Sequence, residues 1–213
     1  MRIIIFANGN LPNLEKARQL IRPNDFILCA DGGTRHALAL GLTPNVVIGD
    51  LDSVTEEERR KIKEMGVEVM EFSMDKNETD LELAINHAIT LNPDQILILA
   101  ALGGRMDQTL ANIALLSNSS LITHHLRITD GVEEIFFCRD QAKVEGRSGD
   151  IVSLLSWQGE VTGVFTENLR WHLHYETLYP DKTRGISNEM TADVATVSIT
   201  SGLLLVVHTI SNA

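Results

Sequence analysis

Two aspartates follow the end of an apolar run at a spacing of two residues. The run, Val46–Ile48, ends abruptly at Gly49, and Asp50 and Asp52 come next. If the run is a buried strand, both carboxylates lie at its carboxyl end, and residues i and i+2 of an extended segment point to the same side. Two carboxylates that close repel each other unless a cation lies between them. The spacing therefore fits a hard divalent ion such as Mg²⁺, although an Asp-rich turn leading into a helix accounts for the same residues.

Three further aspartates, Asp31, Asp80 and Asp107, stand near the ends of other apolar runs. Asp80 lies in the first turn of a predicted helix, where a carboxylate also suits the helix dipole. Asp107 could be the N-cap of a helix predicted at Thr109–Leu116. Capping explains either residue alone. If all these acidic side chains face one crevice, however, a site explains them better than capping does.

Two glycine pairs lie in the same kind of loop, at Gly32–Gly33 and Gly103–Gly104. Glycine lets a backbone approach a ligand closely, and free N–H groups beside helix N-termini bind phosphates. Arg105 offers a planar fork for a polyphosphate, with a surface ion pair as the alternative. The sequence has no Walker A motif, and no G-x-G-x-x-G follows the first predicted strand. A nucleotide would therefore bind through residues other than these two motifs.

A second group of candidates lies in the polar segment Asn168–Met190, which is too long for a plain turn. Trp171 could stack on an aromatic ring or belong to the core of a β domain. Ser187 and Asn188 could bind ring nitrogens and amino groups through hydrogen bonds, although alone they are an ordinary turn sequence. Lys76, in a polar loop of the first half, could contact a phosphate or lie in solvent.

Strands and helices alternate in the first half of the chain. This alternation predicts a doubly wound, mostly parallel sheet, and such sheets bind ligands outside the carboxyl ends of their strands. The Gly and Asp clusters fall at these predicted ends. The predicted strands are Arg2–Ala7, Phe26–Ala30, Val46–Ile48, Val67–Phe72 and Gln95–Ala100, and their near-continuous apolar character predicts burial on both faces.

The pattern changes beyond about residue 140, where long helical patterns give way to short strand-like runs. These runs are Asp150–Leu155, Gly159–Phe165, Ala195–Thr200 and Leu203–Thr209, with turns predicted at Trp157–Gly159 and Ser201–Gly202. We therefore predict an α/β protein with an N-terminal, doubly wound sheet domain at 1–140. A smaller antiparallel β domain, sandwich-like or barrel-like, follows at 141–213.

The composition narrows the possible partners. The 213 residues carry a net charge of −11 and no run of Lys or Arg, which argues against a nucleic-acid partner. Acidity is compatible with a phosphorylated substrate when a metal ion supplies positive charge. Cys29 and Cys138 lie in apolar runs and are predicted to be buried thiols. The apolar run Met1–Ala7 is too short for a signal peptide, and no segment approaches the length of a membrane span. We therefore predict a cytoplasmic protein without a membrane partner.

In this order, the motifs resemble those of bacterial thiamine pyrophosphokinases, and the resemblance covers nearly the whole chain. The stretches that carry it are Ala30–Gly33, Gly49–Ser53, Asp75–Ala84, Gly103–Asp107 with Ala111–Asn112, Arg170–Leu173 and Ile186–Glu189. The resemblance implies Mg²⁺-dependent transfer of the pyrophosphoryl group of ATP to the hydroxyl of thiamine, which gives thiamine diphosphate and AMP. It also implies a homodimer, with the active site between the α/β domain of one subunit and the β domain of the other.

The resemblance, together with the residue types, gives each candidate a role. Catalysis and Mg²⁺ binding are expected of Asp50, Asp52 and Asp80. Thiamine binding is expected of Trp171, Ser187 and Asn188 in the β domain. ATP binding is expected of Asp31, Gly32, Gly33, Lys76, Gly103, Gly104, Arg105, Asp107 and Gln108.

Two departures from the family pattern leave alternatives open. Gln108 stands where the family usually has His, and Asn77 stands where it often has Asp. Gln108 keeps hydrogen bonding without charge, and Asn77 keeps an oxygen ligand but loses a negative charge. One alternative is a non-catalytic module that binds thiamine or a nucleotide. Another is a pyrophosphokinase for a different alcohol, such as a pterin.

Overall fold

The computed structural model describes residues 1–118 and 125–211, and the chain forms two compact units, Met1–Gly131 and Val132–Ala213. The sequence places the domain boundary after residue 140, further along the chain.

Among the described residues of the first unit, six parallel strands form a sheet. They are β1 (Arg2–Phe6), β2 (Phe26–Ala30), β3 (Val46–Gly49), β4 (Glu68–Glu71), β5 (Gln95–Leu99) and β6 (Leu126–Thr129). Their spatial order is β4-β3-β2-β1-β5-β6, and every neighbouring pair is parallel. This confirms the predicted parallel sheet. The order reverses between β1 and β5, and open α/β sheets bind ligands at such a reversal.

The helices of this unit follow the strands. They are α1 (Leu14–Leu20), α2 (Thr34–Ala39), α3 (Glu56–Glu64), α4 (Asp80–Thr90) and α5 (Met106–Leu115). Thr55 and Thr79 are the N-caps of α3 and α4, and their side chains accept hydrogen bonds from the backbone N–H groups of Glu58 and Glu82. The prediction for α5 is wrong at its start, because the helix begins at Met106 and Arg105 takes the N-cap position. Asp107 therefore lies in the first helical turn and is not a cap.

The inner strands of the sheet are buried on both faces, which explains their unbroken apolar sequences. Ile3, Ile4 and Ile5 of β1 are all 0% exposed. The edge strand β4 is different, since Glu68 and Glu71 are exposed. Charged residues on an edge strand discourage pairing with other chains. The prediction of burial on both faces is therefore wrong for β4.

The second unit consists of antiparallel strands. They are β7 (Glu133–Cys138), β8 (Gln141–Glu145), β9 (Ile151–Glu167), β10 (His174–Leu178), β11 (Asn188–Glu189), β12 (Val194–Ser198) and β13 (Ser201–Thr209). The first half of β9 pairs with β11 and β13, and its second half pairs with β10 and β12. The predicted antiparallel β unit is confirmed.

The turn predicted at Trp157–Gly159 is wrong, because β9 runs through it as one strand of 17 residues. The turn signal instead produces a bulge. Leu203 of β13 pairs with Trp157, whereas Ser201 pairs with Thr162, and Gln158 has a φ of +61°. Since β13 continues alongside, the extra residues bulge out without ending the strand. Most of the pairing between β9 and β13 lies before the bulge, and the pairing of β9 with β10 and β12 lies after it.

In the part of the chain that the structure describes, every helix is too short or too polar to cross a lipid bilayer.

A buried carboxylate fixes the end of the second unit. Asp150 is 2% exposed and accepts hydrogen bonds from the backbone N–H groups of Arg147 and Ser211, each at 2.9 Å. Its Oδ2 also lies 3.1 Å from Nε2 of His208. Burial alone would raise the pKa of Asp150, but these hydrogen bonds outweigh it and lower the pKa below its usual value.

This lowered pKa predicts how the stability of the protein depends on pH. A carboxyl group with a depressed pKa in the folded state stabilises the fold above its unfolded pKa of about 4, and this contribution is lost as the pH falls through the lower folded value. We expect Asp150→Asn to lower the free energy of unfolding by about 2 kcal/mol at pH 7. The difference from the wild type should shrink towards pH 3 in urea titrations. A difference that does not depend on pH would contradict this role for Asp150.

Candidate active site

Three carboxylates from three different loops meet at the carboxyl end of the parallel sheet. Asp31 follows β2, Asp50 follows β3, and Asp80 is the first residue of α4. One carboxylate oxygen of each lies within 4.8 Å of the others. The condition set for the aspartates, that they face one crevice, is therefore met by these three. We call Asp31, Asp50 and Asp80 the acid cluster.

The backbone around the acid cluster is adapted to this close approach. Asp31 is 3% exposed and has a φ of +45°, which is uncommon for a residue with a side chain. A Cβ on Gly49 would lie 2.9 Å from Cβ of Asp31 and 3.1 Å from Oδ1 of Asp80. Only glycine fits at position 49 without moving the cluster. Backbone strain of this kind concentrates at functional sites.

Lys76 enters the acid cluster from the loop before α4. Its Nζ donates a hydrogen bond of 3.0 Å to Oδ2 of Asp50 and lies 3.0 Å from Oδ1 of Asp80. The side chain of Lys76 is 14% exposed, so the interpretation of Lys76 as a solvated surface residue is wrong. The other interpretation, a contact with phosphate, stays a prediction.

The pKa values of Asp50 and Asp80 in the acid cluster shift in opposite directions. The hydrogen bond from Lys76 lowers the pKa of Asp50 below the usual carboxyl range, so Asp50 is ionised at neutral pH. Burial raises the pKa of Asp80, and the charges of Asp50 and Asp31 raise it further, against the opposing effect of Lys76. For Lys76, burial favours the neutral amine, but its carboxylate partners outweigh burial and raise its pKa.

Asp52 lies outside the cluster, contrary to the expectation that it would point to the same place as Asp50. That expectation assumed an extended segment, but Leu51 has a φ of +61° and buries its own side chain. The chain turns here, and the backbone N–H of Asp52 donates to Oδ1 of Asp50 at 3.2 Å. The side chain of Asp52 is exposed and accepts a hydrogen bond from Ser53. The turn interpretation is correct for this stretch, and Asp50 belongs to a carboxylate cluster as well.

An open cavity of about 570 Å³ lies over the acid cluster. This volume is in the range of small-molecule sites. Nine predicted site residues line it, namely Asp31, Asp50, Asp52, Lys76, Asp80, Gly103, Gly104, Arg105 and Gln108. Asn8 and Asn10, in the loop after β1, also line the cavity, and no sequence motif singled them out. That loop is tied to the one after β5 by hydrogen bonds from the N–H groups of Gly9 and Asn10. The position of this loop, at the end of the first predicted strand, could have identified Asn8 and Asn10 as candidate site residues.

Gly32, Gly33 and Asp107 are not among the residues that line this cavity. Gly32 and Gly33 form a 3₁₀ turn with Asp31, and a Cβ on Gly33 would lie 2.0 Å from the carbonyl oxygen of Phe6. Packing against β1 therefore explains why glycine is needed at position 33. Asp107 is exposed and pairs with Arg105 through two hydrogen bonds of 3.1 and 2.5 Å. The surface ion pair considered for Arg105 is thus present.

A second cavity, of about 290 Å³, lies in the second unit. Its lining includes all three residues predicted for the second substrate, Trp171, Ser187 and Asn188. Trp171 is 49% exposed, and the Arg170 guanidinium lies 5.1 Å from its ring centroid. The interpretation of Trp171 as a core residue is therefore wrong. An exposed indole ring in a cavity can stack on a planar ligand.

Asn188 positions Trp171, because its side chain holds the backbone of that residue. Oδ1 of Asn188 accepts from the N–H of Trp171 at 3.0 Å, and Nδ2 donates to the carbonyl oxygen of Trp171 at 2.7 Å. Oδ1 also accepts from the N–H of Glu189 at 3.0 Å. Asn188 is only 2% exposed, so most of its hydrogen-bonding capacity is used within the protein. Ser187, in contrast, is exposed.

Asn188→Ala should therefore destabilise the second unit. It leaves the part-buried N–H and carbonyl groups of Trp171 without their partner, and we expect the free energy of unfolding to fall by about 2 kcal/mol. Urea denaturation measures the change. Ser187→Ala, next to it but exposed, is the control and should change stability by less than about 0.5 kcal/mol. Equal effects of the two substitutions would show that Asn188 does not hold the segment.

The acid cluster has the chemistry of a site for a hard divalent cation. Its three carboxylates supply oxygen ligands, which Mg²⁺ prefers. Oδ1 of Asp31 and Oδ1 of Asp80 are buried and have no hydrogen-bond partner among the described residues. Lys76 lies close to Oδ1 of Asp80 but not in the alignment of a hydrogen bond. Buried polar atoms in native proteins are normally partnered, so these two oxygens are suited to a ligand.

Two family models match this chain. The model described as thiamin pyrophosphokinase, catalytic domain, matches residues 17–129. The model described as thiamin pyrophosphokinase, vitamin B1 binding domain, matches residues 139–204. The first match alone covers more than half of the 213 residues.

Proteins with the same family name are similar to this chain along most of its length. Thiamine pyrophosphokinase from Bacillus subtilis (strain 168) is 29% identical over 180 residues, which cover 84% of each chain. A crystal structure of thiamine pyrophosphokinase from Bacillus subtilis has a TM-score of 0.90 at 26% identity, covering 99% of this chain and 100% of that chain. Thiamin pyrophosphokinase from Geobacillus thermodenitrificans, at 22% identity, shares the fold with a TM-score of 0.87, covering 100% of this chain and 99% of that chain. The chain therefore belongs to the thiamin pyrophosphokinase family.

Proposed function

We propose that this protein transfers the pyrophosphoryl group of ATP to the hydroxyl oxygen of thiamine and releases thiamine diphosphate and AMP. The observation that carries the proposal is the acid cluster, which lines a cavity of about 570 Å³ and contains a buried oxygen of Asp31 without a hydrogen-bond partner among the described residues. Family membership supplies the two substrates. The acid cluster supplies a place where a divalent ion would be held, and phosphoryl transfer depends on such charge neutralisation and on alignment of the reactants.

We assign ATP and Mg²⁺ to the cavity of the first unit. Asp31, Asp50 and Asp80 would hold Mg²⁺, and Asp52 lines the same cavity beside them. The ion, when bound, neutralises phosphate charge and stabilises the AMP leaving group. Arg105 and Gln108 reach the cavity from the loop after β5 and the first turn of α5, where they can bind polar groups of the nucleotide. The positive φ values of Gly103 and Gly104 shape that loop.

The reaction itself forms one bond and breaks one bond. The thiamine oxygen attacks the β-phosphorus, so the new bond joins that oxygen to the β-phosphorus. The bond between the β-phosphorus and the oxygen bridging to the α-phosphorus breaks, and AMP leaves with that oxygen. A carboxylate of the acid cluster accepts the hydroxyl proton.

We assign thiamine to the cavity of the second unit. Trp171 presents an exposed ring that can stack on the aminopyrimidine, and Asn188 fixes the backbone that carries this ring. The exposed hydroxyl of Ser187 can bond the edge of the aminopyrimidine. A homodimer with the active site between subunits, and a cytoplasmic location, are further parts of the proposal. Mixing a variant inactivated at Asp50 with one inactivated at Trp171 tests the dimer, because a shared site predicts partial recovery of activity.

Product analysis tests the proposal. The protein is incubated with ATP, Mg²⁺ and thiamine, and the products are separated by chromatography. We expect thiamine diphosphate and AMP in equal amounts, and no products without a divalent ion. ADP with thiamine monophosphate would contradict pyrophosphoryl transfer. Thiamine binding in calorimetry without turnover under any divalent ion would favour a non-catalytic module. Faster transfer to a pterin alcohol would favour a different acceptor.

A further inference from the structure

Lys76 occupies the position in the acid cluster that a bound cation would share. Its ammonium lies 3.0 Å from an oxygen of Asp50 and 3.0 Å from an oxygen of Asp80. All three side chains are largely shielded from water, with 14%, 12% and 25% of their surface exposed for Lys76, Asp50 and Asp80. Such shielding strengthens the attraction well beyond that of a surface ion pair.

One ammonium leaves the charge of the cluster unbalanced. Three carboxylates carry three formal negative charges, and Lys76 supplies one positive charge, which leaves two negative charges. A divalent cation would balance these charges, but it would then lie beside an ammonium bound to the same oxygens. Because the two cations repel each other, each weakens the binding of the other. An ATP phosphate chain removes this conflict, since it offers Lys76 other negatively charged oxygens.

The lysine is placed where it can change partners. Lys76 belongs to the loop between β4 and α4, and its side chain lines the cavity over the cluster. The other oxygen of Asp50 accepts a hydrogen bond from the N–H of Asp52, and this contact does not involve Lys76. Asp80 is held at the start of α4. A movement of the Lys76 side chain alone would therefore release both carboxylates.

We propose that Lys76 is a built-in counter-ion that holds Asp50 and Asp80 in the free enzyme and transfers to the phosphates when nucleotide binds with its divalent ion. The free protein then binds a divalent ion weakly, and the nucleotide raises its affinity for the ion. This inference rests on the proposed function only for the identity of the nucleotide.

The test measures binding rather than turnover. Mn²⁺ is titrated by calorimetry into nucleotide-free wild type, Lys76→Met, Lys76→Arg and Lys63→Met. We expect Lys76→Met to bind Mn²⁺ at least about 10-fold more tightly than the wild type, because a competing charge is gone. Lys76→Arg keeps the charge and should stay within about threefold of the wild type. Lys63 is an exposed lysine of α3, so Lys63→Met should change the affinity by less than about twofold.

A second titration tests the transfer to phosphate. With Mn²⁺ at a concentration that saturates both proteins, we expect Lys76→Met to bind α,β-methylene-ATP at least about fivefold more weakly than the wild type, since an ammonium–phosphate contact is lost. Thermal melts establish that each variant is folded. Unchanged or weaker Mn²⁺ binding by folded Lys76→Met overturns the counter-ion role. Tighter Mn²⁺ binding with unchanged nucleotide binding overturns the transfer.

The outcomes separate this inference from the proposed function. If the wild type makes thiamine diphosphate and AMP while Lys76→Met gains no Mn²⁺ affinity, only the inference fails. If the wild type makes no thiamine diphosphate while Lys76→Met does gain Mn²⁺ affinity, the proposed function fails and the counter-ion role of Lys76 is retained.

Discussion

Asp50→Asn is expected to lower kcat with ATP and thiamine by about 1,000-fold. Asp50 contacts Lys76 and lies within 4.8 Å of Asp31 and Asp80 through its carboxylate oxygens. The substitution removes a charge that the protein keeps ionised through the lowered pKa of Asp50. It preserves shape, and the new amide oxygen can still accept from the N–H of Asp52. The loss should therefore be one of catalysis and ion binding, with the fold retained.

Steady-state kinetics and a thermal melt measure these two effects separately. Asp94→Asn is the matched control, since Asp94 is exposed and immediately precedes β5, at the opposite end of the sheet strands. It should retain activity within about twofold. Near-normal turnover by folded Asp50→Asn would show that the acid cluster is structural. Asp52→Asn separates two expectations about kcat. The spacing of Asp50 and Asp52 predicts a loss equal to that of Asp50→Asn, whereas the exposed position of Asp52 predicts a smaller loss.

Gly33→Ala should strongly destabilise the first unit. A Cβ there would lie 2.0 Å from the carbonyl oxygen of Phe6 and 3.0 Å from that of Ala7. Both contacts are backbone atoms at the end of β1, so side-chain movement cannot relieve them. We expect the free energy of unfolding to fall by about 3 kcal/mol or more. Urea denaturation followed by circular dichroism measures the loss.

The control is a glycine that is needed for its backbone conformation and not for close packing. Gly41 has a φ of +70° after α2, and a Cβ there would meet nothing within 4 Å. Gly41→Ala should therefore cost about 1 kcal/mol, the strain of a left-handed conformation. Gly33→Ala could instead be as stable as Gly41→Ala and lose affinity for ATP. That result would show that position 33 binds phosphate, as the sequence suggested, and is not a packing contact.

The arrangement of the acid cluster was largely predictable, because it follows from strand order. Asp31 and Asp50 directly follow apolar runs that the sequence pattern identifies as strands. The carboxyl ends of parallel strands lie along one edge of a sheet, so the two side chains are brought to the same edge. The two-unit organisation was predictable for a similar reason. Alternating strands and helices give way to strands alone, and each pattern has one simple packing solution.

Features that depend on tertiary contacts were not predictable from local sequence. Nothing in the spacing of Asp50 and Asp52 reveals that Leu51 turns into a left-handed conformation to bury its side chain. The partners of Lys76 lie just after β3 and at the start of α4, and they meet only after folding. The sequence suggests that Gly33 binds phosphate, whereas the structure shows that the end of β1 packs against it. The bulge in β9 arises because β13 continues beside a turn sequence.

The central claim is that thiamine attacks the β-phosphorus of ATP, and an isotope label tests it directly. ATP carrying ¹⁸O in the bridge between its α- and β-phosphorus atoms is allowed to react completely with thiamine and Mg²⁺. Mass spectrometry then locates the label in the products. Because the β-phosphorus–oxygen bond breaks, the label is expected in AMP and not in thiamine diphosphate. Unlabelled AMP, or label in ADP beside thiamine monophosphate, would contradict the account.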